Sequence, residues 1–328
     1  MFEEASQLVE QVLAGEPPSP AQGLAILTAR GAHLTAYLSG AHYLKERAFG
    51  KRVALCSIIN AKSGRCAENC AFCAQSVHYH TAAPVYPLKS REEIVAGAIS
   101  AQAEGSHCFG IVTSGSRLEA GPELESVLAA IREIRALCTI APSASLGILD
   151  EPTARRLAEA GCVTYHHNLE TARSFFPQIC TTHDYEEDVA TVRLAKAVGM
   201  HVCCGGIVGM GESRDSRAGL LAQLASLDPQ PESVPINQLV QVEGTPLAGT
   251  QALPWTEFVR TIAAARILMP ASFVRLSAGR TQMHEAVQAL CFLAGANSIF
   301  YGEKLLTTGN PDVARDDALF AALGLSAA

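Results

Sequence analysis

The sequence predicts an α/β fold, a (βα)8 barrel of the TIM type preceded by an N-terminal helical extension. From Lys51 onward, short β-rich runs alternate eight times with amphipathic helical segments, and eight parallel strands are the number that closes such a barrel. The length of 328 residues and the hydrophobic content of 48% suit one barrel of this size. No internal repeat or break in composition divides the chain, so we predict a single domain overall.

The predicted segments follow the order of the chain. Residues 1–50 form the helical extension, with helices at 3–13, 22–28 and 34–46 and a role in packing. Residues 51–310 form the barrel, and residues 311–328 form a C-terminal helical tail. Ser90 and Glu93 predict a capping box at the start of the first barrel helix. The predicted strands lie at residues 53–60, 107–113, 143–146, 163–168, 201–207, 233–240, 273–277 and 298–301.

Composition and charge narrow the classes of function. The sequence has no run of roughly 18 or more apolar residues and no signal-peptide pattern, which predicts a cytoplasmic protein without a membrane partner. The formal net charge of −7 argues against a nucleic-acid partner. Eleven cysteines without an export signal predict metal ligands or reduced thiols rather than disulfides.

Three cysteines, Cys66, Cys70 and Cys73, carry the strongest chemical signal. Their C-x3-C-x2-C spacing places three thiolates on one tight loop, where they can hold three corners of a cubane iron–sulfur cluster. The fourth iron then has no protein ligand and can bind a small molecule. A zinc site is the alternative, because His78 and His80 follow closely, but no second pair of ligands at zinc spacing completes it. Unliganded thiols are the third interpretation.

The alternation of side chains along the predicted strands collects polar groups on one face. Alternate residues of a strand point the same way, whereas an ordinary barrel interior is packed with branched aliphatic residues. A buried Arg275 would need a negative partner, such as the thiolates and sulfides of a second cluster. The simpler alternative is that these groups are scattered core or surface residues. The face comprises Cys56, Ile58, Asn60, Cys108, Gly110, Val112, Ser143, Ser145, His166, Asn168, His201, Cys203, Gly205, Ser233, Asn237, Arg275, Ser277 and Ser298.

The cysteine loop, with Phe72 before its last cysteine, resembles the signature of the radical S-adenosylmethionine superfamily. Longer stretches between about Val53 and Thr308 resemble the biotin synthase family within that superfamily. These stretches are residues 165–170 (YHHNLE), 202–212 (VCCGGIVGMGE), 234–237 (VPIN), 274–280 (VRLSAGR) and 291–302 (CFLAGANSIFYG). Together they are far more specific than the three-cysteine loop alone.

The resemblance implies an enzyme, a radical sulfurtransferase of biotin biosynthesis that converts dethiobiotin to biotin. A [4Fe-4S] cluster on Cys66, Cys70 and Cys73 would bind S-adenosyl-L-methionine and give a 5′-deoxyadenosyl radical. An auxiliary iron–sulfur cluster would donate the sulfur. The implied partners are dethiobiotin, an electron donor such as flavodoxin or ferredoxin, and a second copy of the chain in a homodimer.

The resemblance also assigns residues to the two small molecules. His166 stands where better-known members carry asparagine, and it could still donate to the ureido carbonyl of the substrate. For each polar residue, the alternative is a satisfied hydrogen bond in the core. The residues expected to contact S-adenosylmethionine are Phe72, Asn168, Glu170 and Ile207, with Glu170 on the ribose. The residues expected to hold dethiobiotin are Lys62, His166, Asn168, Asn237, Thr307 and Thr308.

The chain departs from the family at the auxiliary cluster. Better-known members hold a two-iron cluster with three cysteines and one arginine, and two of those cysteine positions are here Gly110 and Ser143. We therefore expect a cluster with a different ligand set rather than a standard [2Fe-2S] site, and the sequence does not fix its number of iron atoms. Its expected ligands are Cys56, Cys108 and Cys203, with Arg275 as a further candidate.

The remaining cysteines have other expected roles. Cys180, in the loop after the fourth strand, is a reserve candidate for the auxiliary cluster. A small buried thiol is the default for a cysteine in or beside a helix, or on the outer face of a strand. The cysteines expected to be packed in this way are Cys138, Cys162, Cys204 and Cys291.

Two rival functions remain open on the sequence. One is a different radical enzyme on the same scaffold, of the hydrogenase-maturase or mutase type, without sulfur insertion. The inward thiols of Cys56, Cys108 and Cys203 argue against it. The other is a non-catalytic iron–sulfur sensor or scaffold, which would form no deoxyadenosine when reductant and S-adenosylmethionine are supplied.

Overall fold

The computed structural model describes residues 2–302 and 305–327. Met1 and Ala328, the outer limits of the first and last predicted segments, lie outside the described residues. Within these ranges, no helix combines the length and the apolar character needed to cross a membrane.

Three helices precede the barrel: α1 (Phe2–Leu13), α2 (Pro20–Thr28) and α3 (Gly31–Phe49). Helix α2 begins where the sequence offers a capping box. The Ser19 hydroxyl accepts from the Gln22 backbone amide, and the Gln22 side chain accepts from the Ser19 amide at 2.7 Å. The N-terminal helical extension is confirmed, with each helix one to three residues longer at its start than predicted.

Eight parallel strands close a barrel, as predicted. Strand β1 pairs with β2 on one side and with β9 on the other, and the ring runs β1-β2-β3-β4-β5-β7-β8-β9. Two short strands lie outside the ring: β6 (Gly206–Val208) pairs with β7, and β10 (Ser326–Ala327) pairs with β1. The ring strands are β1 (Arg52–Lys62), β2 (Cys108–Thr113), β3 (Ala141–Ser145), β4 (Thr164–His166), β5 (His201–Cys203), β7 (Ser233–Gln238), β8 (Phe273–Leu276) and β9 (Ser298–Phe300).

Helices surround the barrel and bury its outer face. The Ser90–Glu93 capping box opens α4, with 3.1 Å between the Glu93 amide and the Ser90 hydroxyl. Helix α3 packs against α9 and α2 packs against α8, so the extension covers one side of the helical layer. The helices are α4 (Arg91–Ala103), α5 (Pro122–Leu137), α6 (Glu151–Glu159), α7 (Tyr185–Ala197), α8 (Arg214–Ala225), α9 (Trp255–Leu268), α10 (Glu285–Leu293) and α11 (Val313–Leu323).

The strand predicted at residues 201–207 is broken, so the prediction of one continuous strand there is wrong. Strand β5 ends at Cys203, and β6 begins at Gly206. The opposing strand β7 contains Pro235, which has no amide hydrogen for a ladder bond. At the break, the Gly205 amide donates instead to Asn168 Oδ1, at 3.1 Å.

A buried ion pair anchors the C-terminal helix to the barrel. Arg280 donates to both carboxylate oxygens of Asp316 near the start of α11, and also to the carbonyl of Phe300 at 3.2 Å. Both charged side chains are almost fully buried. The contact holds α11 beside the carboxyl end of β9, next to the segment that covers the barrel.

Gly205→Ala tests the tight contact at the strand break. A Cβ at this position would lie 2.0 Å from the Pro235 carbonyl oxygen, which is backbone and cannot turn away. We expect Gly205→Ala to lower the free energy of unfolding by about 1–3 kcal/mol, the usual cost of overpacking. Gly309→Ala is the control, because a Cβ there meets no atom within 4 Å. Equal denaturation midpoints for the two variants would contradict the packing described.

Candidate functional site

The interior of the barrel contains a continuous cavity of about 690 Å³. Its wall is the polar face expected from strand alternation, including Cys56, Cys108, His166, Cys203 and Arg275. An ordinary barrel of this type is filled by branched aliphatic side chains. Here some aliphatic residues, among them Ile58 and Val112, also line the cavity, whereas Ile111 and Val202 face away from it and are buried in the main hydrophobic core. The cavity wall therefore contains the thiols, imidazole and guanidinium expected from the sequence, together with apolar side chains.

The three-cysteine loop lies at one end of this cavity. Cys66, Cys70 and Cys73 all line it. The chain turns sharply before the first of them, with positive φ at Gly64 (79°) and Arg65 (55°). Backbone bonds then fix the loop: the Cys66 amide donates to the Gln75 carbonyl at 3.0 Å, and the Cys73 amide donates to the Cys70 carbonyl at 2.9 Å.

A second segment holds the loop from the side. The Ala71 amide donates to the Ile179 carbonyl at 2.8 Å, which ties the loop to the segment after β4. Phe72 packs with Ile179 and Ile207 in a small apolar cluster at this end of the cavity. Burial raises the pKa of the Cys73 thiol to about 11. A cationic metal centre would therefore be needed to hold this sulfur as a thiolate at neutral pH.

A second set of thiols surrounds Arg275 deeper in the barrel. The guanidinium donates from Nη2 to the Cys56 sulfur at 2.9 Å and from Nη1 to the Cys203 sulfur at 3.4 Å. Its Nε donates to the Ser298 hydroxyl at 3.0 Å. Cys108 is the register partner of Cys56 on the neighbouring strand, and each thiol shifts the pKa of the other. The structure therefore brings together all four residues expected at the auxiliary cluster.

Arg275 is fully enclosed, and its charge depends on the sulfurs around it. Burial lowers its pKa, but the negative thiolates of Cys56, Cys203 and Cys108 raise it more, and the net shift is upward. No carboxylate forms an ion pair with it in the part of the chain that the structure describes. The ring of Phe300 lies 4.9 Å from the guanidinium carbon. A buried cation of this kind favours anionic sulfur nearby.

Gly110 and Ser143 lie beside this set without supplying a thiol. They are register partners on β2 and β3. A Cβ on Gly110 would lie 3.2 Å from the Ser143 hydroxyl and 3.0 Å from Ile58 Cγ2. The Ser143 hydroxyl lies 3.4 Å from the Cys108 sulfur and helps to lower the pKa of Cys108, after the larger effect of the bond with Cys56.

The remaining cysteines lie outside the two sulfur sets, and Cys180 lies in a different place from the one expected. Cys204 is fully buried in the main core and does not line the cavity, in contrast to Cys203. Cys180 lies beside the cysteine loop, 3.8 Å from the Cys70 sulfur, rather than beside Arg275. The structure therefore does not bring Cys180 to the auxiliary set. Cys162, Cys204 and Cys291 are buried in the main core, as expected, whereas Cys138 is half-buried and packs against it.

The sequence did not point to a polar network beside Cys70. His183 lies between two carboxylates, with Nδ1 at 2.7 Å from Glu68 and Nε2 at 3.3 Å from Asp188. Asp188 also bonds His167, at 2.7 Å. Burial opposes the charge on His183, but Asp188, Cys180 and Glu68 raise its pKa to about 11. Glu68 and His183 are 115 positions apart, and no spacing in the sequence could have paired them.

The four residues expected to contact S-adenosylmethionine, Phe72, Asn168, Glu170 and Ile207, all line the cavity. Glu170 has a positive φ of 60°, and its carbonyl accepts from the Ile207 amide at 2.8 Å. Asn168 donates from Nδ2 to the Glu170 carboxylate at 3.3 Å. Burial, reinforced by Asp188, raises the pKa of Glu170 to about 8.

The residues expected to hold dethiobiotin are only partly brought together. His166, Asn168, Asn237, Thr307 and Thr308 line the cavity. Burial, together with Arg275 and His167, lowers the pKa of His166 to about 3, so its ring is neutral at physiological pH. The carboxamide of Asn237 is hydrogen-bonded to the backbone: it donates to the Gly206 carbonyl at 3.0 Å and accepts from the Ala278 amide at 3.1 Å.

Lys62 is the expected substrate ligand that the structure does not bring to the cavity. Its ammonium forms an ion pair with Glu123 at 2.6 Å, and it is absent from the cavity wall. The pair is partly exposed, so it is a weak anchor. Nothing in the sequence identified Glu123 as its partner.

The two sulfur sets fit the groups that the resemblance implies. Three thiols of one loop face one cavity, which is the donor set of a cubane with one open iron. Three further thiols gather around a buried guanidinium, which places a positive charge beside the sulfur donors. Beside the first set, the cavity wall carries the apolar ring of Phe72 and the carboxamide of Asn168, suited to a small polar ligand.

Known families and proteins resemble this chain over most of its length. The family model of the Radical SAM superfamily matches residues 61–224, and the model of the Biotin and Thiamin Synthesis associated domain matches residues 235–326. The chain is 54% identical to a biotin synthase of Syntrophotalea carbinolica, covering 92% of both chains. It is 47% identical to a biotin synthase of Geobacter sulfurreducens, covering 99% of this chain and 98% of the relative.

Two solved structures share the fold at low sequence identity. Methylornithine synthase has a TM-score of 0.83 at 20% identity and covers 98% of this chain and 97% of its own. The FeFe-hydrogenase maturase of Carboxydothermus hydrogenoformans has a TM-score of 0.80 at 18% identity. The match covers 98% of this chain and 79% of the maturase. At such low identity, the two solved structures establish only that the fold is shared. The family is established by the biotin synthases, which are 47% and 54% identical to this chain. This chain belongs to the biotin synthase family of the radical S-adenosylmethionine superfamily.

Proposed function

We propose that this chain is a biotin synthase that converts dethiobiotin to biotin by radical insertion of sulfur. The observation that carries the proposal is the presence of two separate cysteine sets on one barrel cavity. A sulfur-inserting radical enzyme needs one metal centre to start the radical and another to supply sulfur. Anaerobic incubation with reductant, S-adenosylmethionine and dethiobiotin tests it, with biotin and 5′-deoxyadenosine as the expected products. Deoxyadenosine without biotin would contradict it.

Cys66, Cys70 and Cys73 would hold the [4Fe-4S] cluster. These residues would thereby place next to S-adenosylmethionine a group that, once reduced, would supply the electron needed to release a 5′-deoxyadenosyl radical. Phe72 and Ile207 would pack against the nucleoside, since they form an apolar wall beside the loop. Glu170 would accept from the ribose hydroxyls, and its bond with Asn168 orients the carboxylate.

Cys56, Cys108 and Cys203 would hold the auxiliary cluster, with Arg275 as a fourth ligand or as a counter-charge. This cluster would provide the sulfur atom that enters the substrate. The contact of Arg275 with two of the three sulfurs supports the assignment. The absence of a thiol at Gly110 and Ser143 supports a cluster different from the standard two-iron type.

Dethiobiotin would lie between the two sets, where His166, Asn168, Thr307 and Thr308 line the cavity. The neutral ring of His166 can donate one hydrogen bond to the ureido carbonyl without introducing a charge. The segment 305–308 covers the carboxyl ends of the strands, and Asn60 Nδ2 holds it by a bond to the Leu306 carbonyl at 3.1 Å. Such a cover excludes water from a carbon radical. We further propose a flavodoxin or ferredoxin as electron donor and a homodimer as the assembly.

Cys56→Ala and Cys108→Ala separate the two halves of the proposed reaction. Each variant should retain the iron bound by the cysteine loop and the formation of 5′-deoxyadenosine. Biotin formation should fall at least about 100-fold, because even disturbing the surroundings of a metal ligand costs up to that factor. Iron content, deoxyadenosine and biotin are measured on the same anaerobically reconstituted samples.

Cys204→Ala is the matched control for these variants. Its thiol is as buried as that of its neighbour Cys203, but it faces the core and not the cavity. Its biotin yield should equal that of the wild type. Full biotin formation in Cys56→Ala and Cys108→Ala would remove these residues from the sulfur site.

Glu170→Gln tests the electrostatic state of the proposed ribose ligand. The pKa of Glu170 is raised from its ordinary value of 4.5 to about 8, so folding disfavours its carboxylate. The contribution of this group to stability is therefore greatest below about pH 4.5 and is lost as the pH rises through about 8. Glutamine does not titrate. The melting temperature of the variant minus that of the wild type should increase between about pH 5 and about pH 8. A constant difference would show that Glu170 keeps an ordinary pKa.

A further inference from the structure

The cavity also reaches the amino-terminal end of the barrel. Besides the cysteine loop at the carboxyl end, its wall includes residues at or just before the first positions of several strands. Two of them, His107 and His201, are exposed to solvent. We call this opening the amino-terminal mouth and define it by Ala54, His107, Ala141, Thr164 and His201.

The amino-terminal mouth leads directly to the auxiliary set. Ala54 and His201 stand two residues before Cys56 and Cys203 on the same strand faces, a step of about 6–7 Å along a strand. Ala54 and Ala141 have small side chains at this end, and the bulkier Leu55, Val163 and Phe273 also line it. The second thiol set is therefore close to solvent at the end of the barrel opposite the cysteine loop.

The carboxyl end offers a poorer route to the same thiols. The cysteine loop and the segment 305–308 cover it, and the Asn60–Leu306 bond fastens that segment. In the proposed reaction, S-adenosylmethionine and dethiobiotin would also lie there, above the auxiliary set. Small ions could then reach Cys203 only after both small molecules had left.

The charges at the amino-terminal mouth suit small inorganic ions of either sign. The imidazoles of His107 and His201 can donate to an anion and can bind ferrous iron. Glu232 also lines this end, but its carboxylate is occupied by Lys196 Nζ at 2.5 Å and by the Val202 amide at 2.7 Å. Its negative charge is thereby offset and does not repel an anion.

We propose that the amino-terminal mouth is the entry route by which hydrosulfide and ferrous ions reach Cys56, Cys108 and Cys203. The inference rests on the proposed function, in which this site gives up sulfur at each turnover and must be resupplied. It separates resupply from the end of the barrel where the radical chemistry takes place.

Ala54→Phe and His201→Trp narrow the amino-terminal mouth and test the route. In cluster-free protein, a small charged methanethiosulfonate reagent labels accessible thiols, and mass spectrometry follows each cysteine peptide. Labelling of Cys203 and Cys108 should slow at least about tenfold in both variants, because thiol exchange depends on access. Labelling of Cys66, near the other end, should not change.

Ala103→Phe is the control for added bulk. Ala103 is exposed at the end of α4, outside the cavity, and the same ring there should leave all labelling rates unchanged. His201→Trp alters an exposed side chain, so it keeps the test valid if Ala54→Phe does not fold. Reconstitution with ferrous iron and sulfide, followed by Mössbauer spectroscopy, gives a second readout. In the narrowed variants, iron at the auxiliary set should appear later than iron at the cysteine loop.

Failure of the entry route and failure of the proposed function would give different results. Wild-type rates of labelling and of auxiliary iron uptake in both narrowed variants would overturn the entry route while leaving the proposed function intact. Failure of the wild-type protein to build any iron assembly beyond that of the cysteine loop would overturn the proposed function itself. The labelling experiment needs no cluster and would still report on the mouth.

Discussion

The burial of one guanidinium charge determines the character of the barrel interior. Arg275 has no carboxylate partner among the described residues, and the sulfurs of Cys56 and Cys203 accept its hydrogen bonds. An unpaired charge in such a place would cost several kcal/mol. The wall around it carries thiols, hydroxyls and imidazole among its apolar residues, whereas aliphatic layers alone fill ordinary barrels. Stability must therefore come from the outer face, where the strands pack on their helices.

This division explains why the interior could be predicted from sequence. Side chains alternate along a strand with a period of two, and neighbouring parallel strands keep a fixed register. Cys56, Cys108, Cys203 and Arg275 lie on different strands, so the barrel alone brings them together once the face of each is known. The same rule separates Cys203 from Cys204. The cysteine loop could also be predicted from the sequence, because its three cysteines lie within eight residues.

Features that depend on loops or on single contacts could not be predicted. The position of Cys180 beside Cys70 follows from the Ala71–Ile179 bond between two loops, and no periodic pattern reports such a bond. The Lys62–Glu123 pair joins β1 to α5, and its geometry depends on side-chain reach. The break between β5 and β6 follows from Pro235 on the opposing strand, whose effect depends on a register that the sequence does not state.

The proposed reaction requires two metal centres in one barrel cavity, one at the cysteine loop and one around Arg275. Anomalous diffraction at the iron edge, from crystals of the anaerobically reconstituted protein, can locate both. We expect two separate iron peaks, one beside Cys66, Cys70 and Cys73 and the other among Cys56, Cys108 and Cys203. A single peak at the loop, with ordered side chains and no iron around Arg275, would contradict this expectation.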